Sequence, residues 1–322
     1  MRPAACIRAV RYAFPAAFRT VRELAASGLV TSEPGVLEGF GFDRVRTAVH
    51  ETPFDLALTA ARRLLDETGV APESVDLLVH GGAPGAAAFA RAPKPMDAAR
   101  MNRTSARFRY PGTRLQYELG LEAAQVVGVD QLACTTLFGA VRTARALCLV
   151  EGMERALCVV SDFFPVDAGR EAVFNCTSDA AVAVLIERGG EGNRIVSATQ
   201  VTKGFYWDPD ALQHEMVAAY FPTARHVLER TAERAGWRLD EVDWVIPHNV
   251  GRRSWTILAS IAGLGHARIW LDNVARDGHT LAGDNFINLA DALESGQVRP
   301  GHKMLLFSFG YGAHWTGLAV EA

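Results

Sequence analysis

The sequence predicts an α/β protein made of two similar halves packed as one body, and three observations predict it. The stretch from Leu65 to Gly82 and the stretch from Thr231 to His248 repeat one pattern, with Gly69 and Val75-Asp76 in the register of Gly236 and Val242-Asp243. Strands that read as continuous apolar runs alternate with helical patterns along both halves, which implies sheets covered on both faces. A glycine- and charge-rich break, Glu187 to Arg194, divides the chain into 1–188 and 189–322.

Each element follows from the same reading. In the first half a helix closes at Gly69, as a left-handed cap prefers glycine, and a strand runs from Val75 to Val79. Gly85 to Tyr110 is an insertion, Gly/Ala-rich and then basic: Arg91, Lys94, Arg100, Arg103, Arg107 and Arg109 stand against Asp97 alone. Its simplest reading is a solvated loop. A helix from about Leu137 to Val150 then leads to a strand, Ala156 to Ser161, and the half finishes with a strand from Ala180 to Ile186. In the second half a helix closes at Gly236 and a strand runs from Val242 to Ile246. The helix Trp255 to Leu264 follows, then a helix through Leu289 to Leu293, and the strands Met304 to Phe309 and Thr316 to Val320.

Composition excludes several classes. The 322 residues are 49% apolar, enough to bury one large core or two ordinary domains. A net charge of −3 with mixed signs argues against nucleic-acid binding, which needs a basic face. The first residues lack the apolar stretch of a signal peptide, and no uninterrupted apolar run approaches the roughly 18 residues of a membrane span. A cytoplasmic protein acting away from membranes is expected. Five cysteines without a Cys-x-x-Cys pair indicate neither a disulfide framework nor a zinc site, so no metal is expected.

Cys134 stands apart from the other four. It lies in Val129 to Gly139, where an extended apolar run stops and a long helical pattern begins. A helix N-terminus offers unpaired N–H groups and the positive end of the dipole, and both favour the thiolate, the form that attacks carbonyls. Core packing is the alternative at Cys134, and it is the preferred reading of Cys6, Cys148, Cys158 and Cys176. His248 occupies a turn at the carboxyl end of a strand, where open α/β sheets place ligands. His279 follows Gly278 on a short turn before an amphipathic helix, and Phe307 to Gly317 sets glycines directly after a buried strand, as an oxyanion hole requires.

That order of motifs resembles the β-ketoacyl-ACP synthase III branch of the thiolase-fold condensing enzymes over nearly the whole chain. The matching residues are Ala133-Cys134, Pro247-His248-Asn249, Gly278-His279-Thr280 and Phe309-Gly310-Tyr311-Gly312, with Trp315 and Gly317 close behind. The resemblance implies a thiolase-like fold, two duplicated α/β halves in a five-layered αβαβα body. It implies that Cys134 takes an acyl group from an acyl-CoA or acyl-carrier-protein thioester, with no permanently bound cofactor. His248 would position or deprotonate the acceptor, and the backbone N–H groups of Cys134 and Tyr311 would bind the oxyanion. A homodimer is implied, with the insertion near 85–110 leading to its contact. Arg253, with Arg252 beside it, falls at the family's entrance for the acidic carrier protein; solvated surface charge is the alternative.

The chain also departs from the family pattern. The third catalytic position is His279 where the type III synthases carry asparagine, and no tryptophan stands in Gly39 to Val49 to grip a CoA adenine. A subgroup of the family that transfers acyl groups to a hydroxyl or amine resembles this chain in its Gly-His segment followed by an aspartate, here Asp284. Asp284, with Asn285 beside it, would orient the His279 imidazole and stabilise its charged form. Ordinary capping of the following helix explains both residues equally well. Because His279 and Asp284 depart together, acyl transfer to a small-molecule hydroxyl or amine acceptor in natural-product biosynthesis is the expected activity. Decarboxylative condensation with malonyl-carrier protein is the alternative. A non-catalytic partner subunit is the third reading, and retention of Cys134 and His248 counts against it.

Overall fold

The computed structural model describes residues 4–82, 108–165, 167–173, 175–190 and 192–322, so most of the basic insertion lies outside the described residues. The first half contains β1 (Ala5–Ala13), β2 (Phe18–Thr20), α1 (Val21–Ala26), α2 (Pro34–Gly39), β3 (Arg44–Arg46), α3 (Pro53–Thr68) and β4 (Leu77–Gly81). It continues with α4 (Pro111–Leu119), β5 (Gln125–Val129), α5 (Thr136–Val150), β6 (Arg155–Asp162), β7 (Glu171–Ala172), β8 (Asn175–Cys176) and β9 (Ala180–Arg188). The second half contains β10 (Asn193–Thr202), α6 (Gln213–Ala235), β11 (Trp244–Pro247), α7 (Arg252–Ile261) and β12 (Arg268–Ile269). It ends with α8 (Asp272–Asp277), α9 (Asp284–Glu294), β13 (Lys303–Gly310) and β14 (His314–Glu321).

The repeat seen in the sequence is a repeat in space. α3 and α6 both end on a glycine in the left-handed region, Gly69 at φ 66° and Gly236 at φ 73°, and each is followed by one turn of 3₁₀ helix before its strand. Strand order is β12-β11-β13-β14-β10 in one half and β1-β9-β6-β4-β5 in the other, element for element. The halves join where β1 meets β10 through only two residue pairs, Cys6 with Arg194 and Ile7 with Asn193.

Alternation along the strands builds five layers. In β6, Ala156, Cys158 and Val160 face a central core, and Leu157 and Val159 face outward onto α3 and α4. In β13, Met304 and Leu306 face that same central core, and Leu305 and Phe307 face outward onto α6 and α7. The central layer is the helix pair α5 and α9, whose Phe138 and Phe286 rings meet edge to face at 5.3 Å. Ala133–Val150 has the length and apolarity of a membrane-crossing helix, and its place between the two halves of the ten-stranded sheet accounts for both.

The structure corrects the sequence reading at several boundaries: β4 and β11 each begin two residues after the predicted Val75 and Val242, and α7 ends at Ile261 rather than Leu264. α7 starts at Arg252, after Gly251, rather than at Trp255, because its first turn carries polar residues that apolar periodicity does not detect. Arg252 and Arg253 therefore sit at the positive end of a helix dipole, where cations are disfavoured.

Candidate functional site

Cys134 lies one turn ahead of the helix proper, in a 3₁₀ turn from Ala133 to Thr135 that leads into α5. The turn is left-handed at Gln131 (φ 61°) and Ala133 (φ 47°) and is held by the amide and hydroxyl of Thr135, both donating to the Leu132 carbonyl. The end of β13 presses against it. A Cβ on Gly310 would stand 2.4 Å from the Leu132 oxygen, and the Ser308 hydroxyl donates to the Cys134 carbonyl at 3.2 Å. Glycine at 310 is what lets the Gly310–Tyr311 backbone approach the turn that carries Cys134.

His279 comes from the opposite half. Gly278 holds φ 62° and ψ −157°, a region open essentially to glycine alone, and a Cβ there would lie 2.9 Å from the Cys176 carbonyl oxygen. The His279 amide donates to Cys176 and its carbonyl accepts from Ser178, both at 2.8 Å, so the histidine is pinned to the strand end before β9. We expect Gly278→Ala to cost about 1–3 kcal/mol in denaturant unfolding and to lower activity by moving the imidazole.

The pinning aims the ring. Nε2 of His279 is 3.4 Å from Cys134 Sγ, and Nδ1 is 2.5 Å from Asp284 Oδ2. Asp284 is wholly buried at the start of α9 and accepts three further bonds at 2.6 Å, from the Thr280 amide, the Thr280 hydroxyl and the Asn249 amide. Burial alone would push the His279 pKa down; the Asp284 carboxylate and the Cys134 sulfur outweigh it and hold the pKa well above the ordinary value. Burial opposes ionisation of Asp284 too, and His279 with the other donors still keeps that carboxyl below its usual range.

His248 follows β11 and is buried, which pushes its pKa down to about 3, with the charge on His279 adding to the effect. Its Nδ1 faces the Phe307 carbonyl at 3.3 Å. A carbonyl only accepts, so Nδ1 carries the proton and Nε2 keeps its lone pair. Asn249 ties the two histidine loops together: its side chain donates to the Gly278 carbonyl and its amide donates to Asp284.

The remaining predicted residues divide. Asp284 touches the imidazole, whereas Asn285 does not: its amide group donates to the carbonyls of Ile246 and Phe307, bridging β11 and β13 beside His248. Tyr311 follows β13 with its hydroxyl bonded to Gln213 at 3.1 Å. The Arg252 stem packs on Gly41 and its guanidinium points at the Leu271 carbonyl, while Arg253 is exposed and has no ion-pair partner among the described residues. Of the basic insertion, the structure describes only Arg109, with Phe108 and Tyr110 exposed on either side of it.

A cavity of about 700 Å³ reaches Cys134, His248 and His279. One part of its wall is apolar, with Met216, Tyr220 and Phe221 of α6 and Phe309 of β13; another is polar, with Thr31, Ser32, Glu171 and Thr177. Glu171 takes bonds from the amides and hydroxyls of Thr31 and Ser32, which lower its pKa against the effect of burial. Behind this wall Arg170 and Asp179 form a buried bidentate pair at 2.6 and 3.0 Å, and Asp179 also accepts from the Ala48 and Phe164 amides. None of the polar wall residues, nor the pair behind them, was singled out from the sequence, because they carry no local motif and meet across up to 140 positions.

Comparison with known proteins finds similar sequences and similar folds. Residues 232–322 match the family described as 3-oxoacyl-[acyl-carrier-protein (ACP)] synthase III C terminal. A β-ketoacyl-[acyl-carrier-protein] synthase III 2 of Streptomyces coelicolor is 29% identical over 231 residues, covering 66% of this chain and 68% of that one. The 3-oxoacyl-[acyl-carrier-protein] synthase III of Aquifex aeolicus superposes with a TM-score of 0.80 at 20% identity, covering 99% of this chain and 100% of the other. The acyltransferase ChlB3 superposes with a TM-score of 0.82 at 19% identity, covering 99% and 98%.

Proposed function

We propose, from the premise that this chain is a β-ketoacyl-ACP synthase III-like member of the thiolase-fold enzymes, that it transfers an acyl group from a carrier thioester through Cys134 to a hydroxyl or amine of a small molecule. The observation that carries the reading is the line Cys134–His279–Asp284, with contacts of 3.4 and 2.5 Å. In the first step the Cys134 sulfur bonds to the acyl carbon, the carrier C–S bond breaks, and His279 gives its proton to the leaving carrier thiolate. In the second step the acceptor oxygen or nitrogen bonds to that carbon, His279 takes its proton, and Cys134 leaves as thiolate. Asp284 holds the tautomer of the neutral imidazole between the steps and stabilises the imidazolium that stands before the first step and forms again in the second. The amides of Cys134 and Tyr311 are the proposed oxyanion donors.

His248 favours this chemistry over decarboxylative condensation. An enolate needs N–H donors, and the His248 nitrogen left free by Phe307 offers a lone pair, suited to accepting a hydrogen bond from a hydroxyl or amine. Condensation is the second reading, supported by the names of the relatives. Exposed Arg253 at the head of α7, beside the cavity residues Gly251 and Ser254, supports a carrier protein as donor. β5 is one of the two edge strands of the sheet and has no strand on its outer side among the described residues, and Tyr110 and Tyr117, just before it in the chain, are exposed, which supports pairing with a second copy of the chain.

Intact-mass measurement after incubation with acyl thioesters tests the first step. The native protein should gain one acyl mass and Cys134→Ala none; no adduct with any donor would refute the catalytic reading and leave the partner-subunit one. Carbon dioxide released from malonyl-carrier protein by the acylated enzyme at the rate of turnover would replace heteroatom transfer with condensation.

A further inference from the structure

The described non-glycine residues with positive φ all border the site. Gln131 and Ala133 flank the nucleophile, Val173 (φ 50°) and Leu281 (φ 55°) line the cavity, and Ala313 (φ 79°) follows Tyr311 by two. Leu281 is the one set between His279 and Asp284. The left-handed region crowds a leucine Cβ against its own carbonyl, and such residues persist only where their surroundings over-determine them.

Those surroundings are present on every side. Thr280, just before Leu281, is fixed to Asp284 by its amide and its hydroxyl. Ala282, just after it, donates its amide to the buried Asp162 carboxylate at 3.0 Å, and the Gly283 amide closes the turn on the Thr280 carbonyl at 3.2 Å. Gly283 itself packs so tightly on β9 that a Cβ would lie 2.8 Å from Val182 Cγ2. An ordinary φ at 281 would send the side chain elsewhere; the strained one sets a leucine in the wall of the cavity that holds Cys134 and His279.

We propose that Leu281 is held in strain as a water shield over the acyl-cysteine, selecting transfer to a bound acceptor over hydrolysis. The inference rests on the acyl-Cys134 reading above. In the suppressed reaction a water oxygen bonds to the acyl carbon, His279 takes one water proton, the C–S bond breaks and Cys134 leaves as thiolate. The free acid departs, and no acceptor is consumed. His279 activates water as readily as it activates a hydroxyl, so an enzyme using this base needs an apolar group beside it that excludes solvent.

The test loads the parent, Leu281→Ala, Leu281→Gly and Leu281→Met with an acyl-N-acetylcysteamine thioester, removes the donor, and follows decay of the adduct by intact mass with no acceptor present. The Ala and Gly variants should lose the acyl group about tenfold faster than the parent, and the Met variant, which keeps an apolar cover, within about twofold of it. The Gly variant should melt no lower than the Ala variant, since alanine keeps the strain and glycine relieves it. Decay of the Ala variant at the parent rate, or of the Met variant as fast as Ala, would overturn the shield. A Gly variant melting well below Ala would remove the strain from it. Failure of the parent to load would instead overturn the acyl-enzyme reading itself.

Discussion

Asp284→Asn should lower the proposed acyl transfer by about 10⁴-fold while the fold survives. The carboxylate takes four hydrogen bonds, from the His279 ring, the Thr280 amide and hydroxyl, and the Asn249 amide. An amide of the same shape presents an NH₂ group to part of that donor set, so His279 turns to the wrong tautomer and its proton leaves Nδ1. The variant also loses the charge that raises the His279 pKa, so the alkaline fall in activity, where the imidazolium is lost, moves to lower pH. Pre-steady-state acylation rates measured across pH report both effects.

The stability difference between the two proteins has a defined window. His279 has a raised folded pKa, so its contribution is fully present below its unfolded value of about 6.5 and is lost as pH rises through the folded one. Asp284 has a lowered folded pKa, so its contribution is present above about 4 and is lost as pH falls through the folded one. The parent's advantage over Asp284→Asn is therefore greatest between those limits. His248, with its pKa lowered to about 3, penalises folding as pH falls below about 6.5, and does so in both proteins.

Arg170→Ala destabilises the chain by about 3–5 kcal/mol, the largest stability effect expected here. Arg170 is 1% exposed and Asp179 is fully buried, so truncating the arginine strands a carboxylate that keeps only the Ala48 and Phe164 amides. Denaturant midpoints with an unchanged slope would establish the loss as one of stability. Activity should fall further than the unfolded fraction explains, because Cys176 and Ser178, between Arg170 and Asp179 in the chain, hold the backbone of His279. Replacing both partners with apolar residues of similar volume should recover part of the stability, since no unpaired charge then remains.

What the sequence made legible was whatever is encoded locally. The caps at Gly69 and Gly236, the apolar strands, the turn bearing Cys134 and the Gly278-His279 turn each announce themselves within a few residues. Asp284, five residues from His279, was visible as an orienting group but equally as a helix cap. In the structure it lies at the start of α9 and binds the imidazole. The cavity wall was not legible: Glu171 meets Thr31 and Ser32 only after the chain has folded, and Arg170 and Asp179 show no periodicity that distinguishes a buried pair from two surface charges. Asn285 was misjudged for a related reason, since sequence adjacency to Asp284 says nothing about which way successive helical side chains point.

The seam where β1 meets β10 is two residue pairs wide, and the candidate site is divided across it: Cys134 belongs to one half, His279 and Asp284 to the other. A chain that has folded only its first half holds a cysteine without its base, and a second half alone holds a base with nothing to activate. The duplicated architecture thus works as an interlock. On the proposed acyl-Cys134 chemistry, reactivity toward thioesters requires both halves to be docked, which makes specific activity a gauge of correct assembly.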